Sequence, residues 1–322
     1  MTVAVEGIDA GVPAHHGDPL REQRELATAA GVVDRSNRDV LVVPGEDRLS
    51  WLHTICSQHV SELADGQSTE ALVLSPHGHV EQHWQVTELD GTVWLDVEPR
   101  TASEVLGYLQ KMRFLKRVEP ADVSDDWAVL TVSGPSASDV LGAAGLPAPR
   151  ERATALPSGG FVRRAPWGFD LIVRRTDSTS TFDALVAAGA APVGTLAFEA
   201  LRVAARRPRL GLETDHRTIP HEVGWIGGAV HLDKGCYRGQ ETVARVQNLG
   251  RPPRRLVLLH LAGESDVLPL PGTPVELDGR PVGFLGTAVH HYELGPIALA
   301  VIKRSLPDDA ALTVAGGAAA ID

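Results

Sequence analysis

Lys234-Gly235-Cys236-Tyr237-Arg238-Gly239-Gln240-Glu241 joins two scarce residue types, because the whole chain has two cysteines and four lysines. Thiolate is the reactive form of cysteine, and nearby positive charge or a helix N-terminus lowers the thiol pKa. Lys234 and Arg238 place that charge two residues to either side of Cys236. Residues 240–249 predict a short helix, with Val243 and Val246 three apart, so Cys236 is expected just before its N-terminus. Gly235 and Gly239 allow unusual backbone angles and close approach of a partner. The stretch therefore reads as a reactive-thiol loop, set against the alternative of a free cysteine buried as a small hydrophobe.

Working upstream, residues 196–207 predict a helix with apolar positions at Leu196, Ala197, Ala200, Leu201 and Ala204. Arg206 and Arg207 suit its negative end, and Pro208 stops it. Arg202, Arg206, Arg207 and Arg209 make a cationic patch, in which positions 202 and 206 share a helix face. The patch reads either as dipole compensation on a solvated face or as a receiver for carboxylate or phosphate, which the arginine fork suits. Glu199 and Glu222 are carboxylates in this company, without the spacing of a paired acid/base site. Downstream of Arg251-Pro252-Pro253, residues 256–261, 274–277, 281–289 and 297–301 are short strands between glycine and proline turns, the signature of a small β-barrel or sandwich.

In the first half, residues 39–43 read as a strand closed by Pro44-Gly45. Glu46 and Asp47 then open a helix whose Leu49, Leu52 and Ile55 line one face. Cys56 adjoins that apolar face and reads as structural. Residues 71–74 and 80–86 flank Ser75-Pro76-His77-Gly78-His79 as a hairpin. His77, His79 and His83 invite a metal reading, but no second Cys or His cluster completes a ligand spacing, so they are expected as solvated hairpin residues. Further strands are expected at 92–97, 127–132 and 169–173, and helices at 103–111 and 136–141, with a Gly/Ala/Pro connector near 142–160.

A chain of 322 residues is long for one core and predicts two or three domains. Hydrophobic content of 43% and charged content of 22% are those of a soluble globular protein. Apolar runs fall short of the roughly 18 residues that span a bilayer. Residues 1–20 lack the basic start and apolar core of a secretory signal and read as a loose tail. With a cysteine count too low for a disulfide framework, a cytoplasmic location is expected. The net charge of −11 argues against general binding of nucleic acid or anionic membrane and leaves a local basic patch open. An iron–sulfur cluster held by four protein cysteines cannot be built from two. Without a phosphate-cradling lysine loop, a dinucleotide fingerprint or a nucleophile elbow, kinases, dehydrogenases and serine hydrolases are poor candidates.

The octapeptide resembles the K-G-C-Y-x-G-Q-E signature of the YgfZ family. Phe198-Glu199-Ala200-Leu201-Arg202 and Ile219-Pro220-His221-Glu222 resemble blocks of the wider GcvT-like superfamily, which includes the T-protein (aminomethyltransferase) of the glycine cleavage system. Asp34-Arg35-Ser36 with Pro44-Gly45-Glu46-Asp47 resembles its opening block, Val132-Ser133-Gly134-Pro135 a middle one, and Pro281-Val282-Gly283 its terminal barrel. The likeness runs from about residue 33 to about residue 305.

The resemblance implies an α+β, three-lobed GcvT/YgfZ-like fold around an opening that receives tetrahydrofolate, with two interleaved α+β lobes and a small C-terminal β-barrel. The expected organisation is a loose tail over 1–30, a folate-binding-type α+β region over 31–253, and the barrel over 254–322. It implies a folate-binding accessory protein for assembly or maintenance of iron–sulfur clusters in client enzymes, including tRNA-modifying ones, so that tRNA is an indirect partner and the membrane is not one. Cys236 and Lys234 take the catalytic place, Gly235, Tyr237, Arg238, Gly239, Gln240 and Glu241 complete the motif, and Glu199, Arg202, Arg206 and Glu222 are the candidate folate contacts. The alternative is a tetrahydrofolate-dependent aminomethyltransferase or other one-carbon transferase. Two departures matter, the first for that alternative and the second for folate binding itself. Where the T-protein has an Asp-Asp pair, one of them catalytic, alignment through Gly78 gives Gln82 and His83. Where the family carries a pterin-binding glutamate, this chain has Ala204.

Overall fold

The computed structural model describes residues 3–4, 7–262 and 267–322, which form two compact units that interleave along the chain. The first comprises residues 1–71 and 83–198, the second residues 72–82 and 199–322. The chain crosses between them inside the hairpin strands Ser68–Leu74 and Val80–Leu89 and inside the helix Thr195–Ala204.

The first unit is built on two sheets. One has five strands in the order Ser68–Leu74, Val80–Leu89, Thr92–Val97, Asp39–Pro44, Ala121–Asp122. The other has six, in the order Thr154–Ala155, Phe161–Ala165, Gly168–Arg174, Trp127–Ser133, Gly31–Asp34, Ala191–Val193. Trp127–Ser133 is buried at every position, as its unbroken β-branched and apolar run requires of a central strand. Its partners are antiparallel, whereas Ala191–Val193 joins Gly31–Asp34 in parallel. Leu130, Val132, Leu171, Phe169 and Leu185 belong to one core cluster, each fully buried large side chain contributing about 1.5–3 kcal/mol.

The tail expected as loose over 1–30 holds regular structure in its described part, where Val3–Ala4 pairs with Pro13–His15 ahead of a helix. Asp18 caps the helix Pro19–Thr28 by accepting from the Leu20 and Arg21 N–H groups, with Pro19 in the first turn. Leu26 is buried with Val33, Val193 and Ala197. The sequence reading missed it because the helix buries one narrow stripe and is otherwise polar.

In the second unit, six antiparallel strands close a barrel in the order Arg254–Leu261, Gly295–Lys303, Arg280–His291, Pro274–Leu277, Leu312–Val314, Gly317–Ile321. A bulge between Leu285 and Ala288 bends the longest strand. Gly283 lets two strands approach, since a Cβ there would lie 2.3 Å from the Val301 carbonyl oxygen. Leu259, Val275, Leu285, Ala300 and Ile302 fill the interior. No helix among the described residues is long and apolar enough to cross a membrane.

Candidate functional site: an exposed thiol on a glycine-locked loop

Cys236 is exposed and Cys56 is buried. Cys236 lies four residues ahead of the helix Gln240–Leu249, as the valine spacing predicted. The loop that carries it is fixed from below. Gly239 caps the helix with φ +83°, a left-handed conformation that favours glycine. A Cβ at Gly239 would lie 2.5 Å from the Ser75 carbonyl oxygen and 3.0 Å from the Gly78 Cα. Gly78, at φ +78°, faces it from the hairpin turn, where a Cβ would lie 2.7 Å from the Thr242 Cβ. The two glycines thus let the tip of the hairpin, residues 75–79, lie directly on the first turn of the helix.

Side chains complete the lock. The Tyr237 N–H donates to Gln240 Oε1 over 3.1 Å. Gln240 therefore fixes the loop that it follows. Arg238 pairs with Glu81 of the hairpin, NH1 to Oε2 at 2.8 Å. Lys234 is buried, with its Nζ 5.0 Å from the centre of the Tyr237 ring. Burial pushes the Tyr237 phenol up to about 12. Both cations that flank the thiol in sequence thus have partners of their own. Gly235 stands apart, because a Cβ there would meet nothing within 4 Å and its φ is not left-handed. Glu241 is exposed in the first turn, on the favourable side of the helix dipole.

The candidate folate contacts are engaged within the protein. Arg202 is 2% exposed. Its Nε and NH2 donate to Glu199 at 2.8–3.1 Å, its NH1 to Glu213 Oε2 at 3.0 Å and to the Arg207 carbonyl, and its NH2 also to Thr287. Every N–H of the fork is thereby used. Arg209 NH1 adds a pair to Glu199 Oε1 at 3.1 Å. Arg206 does not share a face with Arg202. The helix ends at Ala204, three residues short of the expected 207, and Arg206 follows at φ +53°, exposed and paired with Asp322. Glu222 is 2% exposed and accepts from the Ile219 N–H at 3.1 Å and from Arg254 at 2.7–2.8 Å. Arg254 also grips Asp215 at 2.7 and 3.0 Å. Burial works against the Asp215 charge, but hydrogen bonds from Arg254, Thr218 and the Arg217 N–H hold its carboxyl well below the usual range. Beside Glu222, burial holds the His221 imidazole below its ordinary value, against opposing effects of Gln247 and Glu222.

Sequence reasoning missed two further arrangements. His83 is not a solvated hairpin residue: its ring nitrogen Nε2 lies 3.0 Å from Glu70 Oε2, both side chains being largely buried. Gln82 beside it is buried. His77 and His79 have ring centres 6.3 Å apart, and among the described residues no group of three or more His, Cys, Asp or Glu side chains could hold a metal ion. A buried charge network also links Asp96 to Arg38 at 2.8 Å and to Arg163, and Arg163 to Asp170 at 3.0 Å. Burial disfavours the Asp96 charge, yet Arg163 and Arg38 outweigh it and lower the carboxyl pKa. Its members lie on three strands and in the turn just before the strand Asp39–Pro44, so no sequence spacing announces it.

This α+β architecture with a closed C-terminal barrel is GcvT-like: aminomethyltransferase T of the glycine cleavage system from Bartonella henselae superposes with a TM-score of 0.87 over 99% of this chain and 92% of that one, at 18% identity. Residues 14–148 match the GCVT N-terminal domain. An aminomethyltransferase of a Nostoc species is 26% identical over 318 residues, 92% of this chain and 82% of its own length. A protein of Arabidopsis thaliana, provisionally named a chloroplastic transferase, is 26% identical over 268 residues, 79% of this chain, and the chain spans 60% of its length. Together the domain match and these relatives support a place in the GcvT-like superfamily.

Proposed function

We propose that this chain is a folate-related GcvT-like protein of the YgfZ kind, which supports assembly or maintenance of iron–sulfur clusters in client enzymes through the thiol of Cys236. The observation that carries the reading is the exposed sulfur on a loop whose flanks are fixed at Tyr237, Arg238 and Gly239. A thiol held at fixed position and open to solvent suits exchange with, or ligation to, a group brought by a partner. The carboxylate chemistry of an aminomethyltransferase is not favoured, because the aligned positions are Gln82 and His83.

Tetrahydrofolate is what the family resemblance of the sequence implies, and the fit of the side chains in question is poor. Glu199, Arg202 and Glu222 are committed to partners inside their own unit, and Ala204 offers no acceptor to a pterin N–H. One missing buried acceptor costs about 1–3 kcal/mol, roughly 5- to 150-fold in affinity. Titration of the purified protein with tetrahydrofolate, followed by tryptophan fluorescence, tests the reading alongside an authentic aminomethyltransferase. Binding weakened by that factor, with no aminomethyl transfer, is expected. Turnover of an aminomethyl donor would instead establish the second reading, a one-carbon transferase. Absence of any binding would remove folate from the function.

A further inference from the structure

Outside the thiol loop, the strongest unassigned feature is the turn that follows the helix Ala102–Met112. Phe114 and Leu115 stand at its tip, 83% and 99% exposed. Two adjacent large apolar side chains so fully in water form a concentrated apolar patch that the fold does not need. The turn is not a slack loop. The Trp51 Nε1 donates to the Met112 carbonyl at 2.9 Å, and the Arg117 N–H to Asp47 Oδ2 at 2.9 Å. Gly45, at φ +124°, lets the base close, since a Cβ there would lie 2.2 Å from the Arg117 carbonyl oxygen. Phe114 itself has φ +46°, a strained conformation for an aromatic residue. The backbone holds the tip outward against that strain.

Beneath the tip lies a cleft of about 950 Å³, walled by Pro44, Gln110, Phe114, Leu115 and Val118. Its rim is basic. Lys111, Arg113 and Lys116 are exposed, and two of the chain's four lysines are among them. Arg117 is taken by Glu46 and Asp47, and Glu119 is the remaining acid lining the cleft. In a chain of net charge −11 this is a local reversal of sign.

We propose that this cleft and its apolar tip dock an acidic segment of a partner protein, one that carries large apolar residues among its carboxylates. The rim supplies charge complementarity, which steers the encounter, and the tip with the cleft supplies the apolar contact. A concave site favours a protruding peptide over a lipid bilayer, whose flat surface cannot enter a cleft. The rest of the acidic chain would also be repelled by an anionic membrane or by nucleic acid, which present charge over a wide front.

The test uses the full chain and a fluorescein-labelled peptide that alternates glutamate with leucine and phenylalanine, read by fluorescence anisotropy. Binding that weakens with added salt is expected, as is a loss of about tenfold or more in the F114S/L115S variant and in K111E/R113E/K116E. All five side chains are exposed, so both variants should keep the wild-type circular dichroism and melting temperature. A scrambled-charge control, with lysine in place of glutamate, should not bind. Three outcomes would overturn the proposal: no binding of the acidic peptide at millimolar concentration, equal binding by both variants, or association with phosphatidylglycerol vesicles in place of the peptide.

Discussion

Replacing Gly239 with alanine probes the seat of the thiol loop, and Gly235→Ala is its internal control. At Gly239 the backbone is left-handed at φ +83°, and an L-residue there costs about 1–2 kcal/mol. The new methyl would also lie 2.5 Å from the Ser75 carbonyl oxygen and 3.0 Å from the Gly78 Cα, backbone atoms that cannot move without opening the hairpin-on-helix contact. Forcing an extra carbon into such a site costs about 1–3 kcal/mol more. The total for G239A is about 2–5 kcal/mol of lost stability. At Gly235 neither term applies, because nothing lies within 4 Å, and the change should fall within about 0.5 kcal/mol. Urea denaturation followed by tryptophan fluorescence measures both. A G239A variant as stable as the wild type, or a G235A variant as damaged as G239A, would refute the packing described for the loop.

Arg254→Met leaves Glu222, 1% exposed at its side chain, and Asp215 without their shared cation. The loss should be about 3–5 kcal/mol in the same assay. The pH dependence follows in sign. The folded Asp215 pKa lies below its unfolded value near 3.9, so its stabilisation is complete above about pH 4 and is lost as pH falls through the folded value. Acid denaturation should therefore show a shallower limb in R254M. For Tyr237 the folded pKa is raised, to about 12, so its contribution is present below the unfolded pKa near 10 and lost as pH rises through the folded value. Ultraviolet titration of the wild type against Y237F should show the late phenol. The Arg238–Glu81 pair is partly solvated, and a double-mutant cycle should give about 0.2–1 kcal/mol.

Much of the fold was legible because it is written in local patterns. The hairpin turn, the helix after Gly239 and the barrel strands each carry turn residues and periodic apolar positions that the structure retains at nearly the same bounds. The helix at residues 19–28 was not, since few of its positions are buried and its apolar signal is weak. Within the site, Cys236 and its glycines stood out by residue type and spacing. The partners did not. Arg238 meets Glu81, Glu222 meets Arg254 and His83 meets Glu70 across long stretches of chain or between strands. A reading of one sequence sees cations and carboxylates but not which of them neutralise each other. For this reason Arg202 read as a ligand contact, whereas burial with Glu199 and Glu213 uses its whole hydrogen-bonding capacity.

The most direct test of Cys236 as the working group is complementation. A strain lacking its native copy of the gene receives either the wild-type chain or C236S, and the activity of its iron–sulfur enzymes is measured at matched protein levels. The thiol is exposed, so serine should fold normally, and C236S should fail to restore the activity that the wild type restores. Full recovery with C236S would show that the sulfur takes no part.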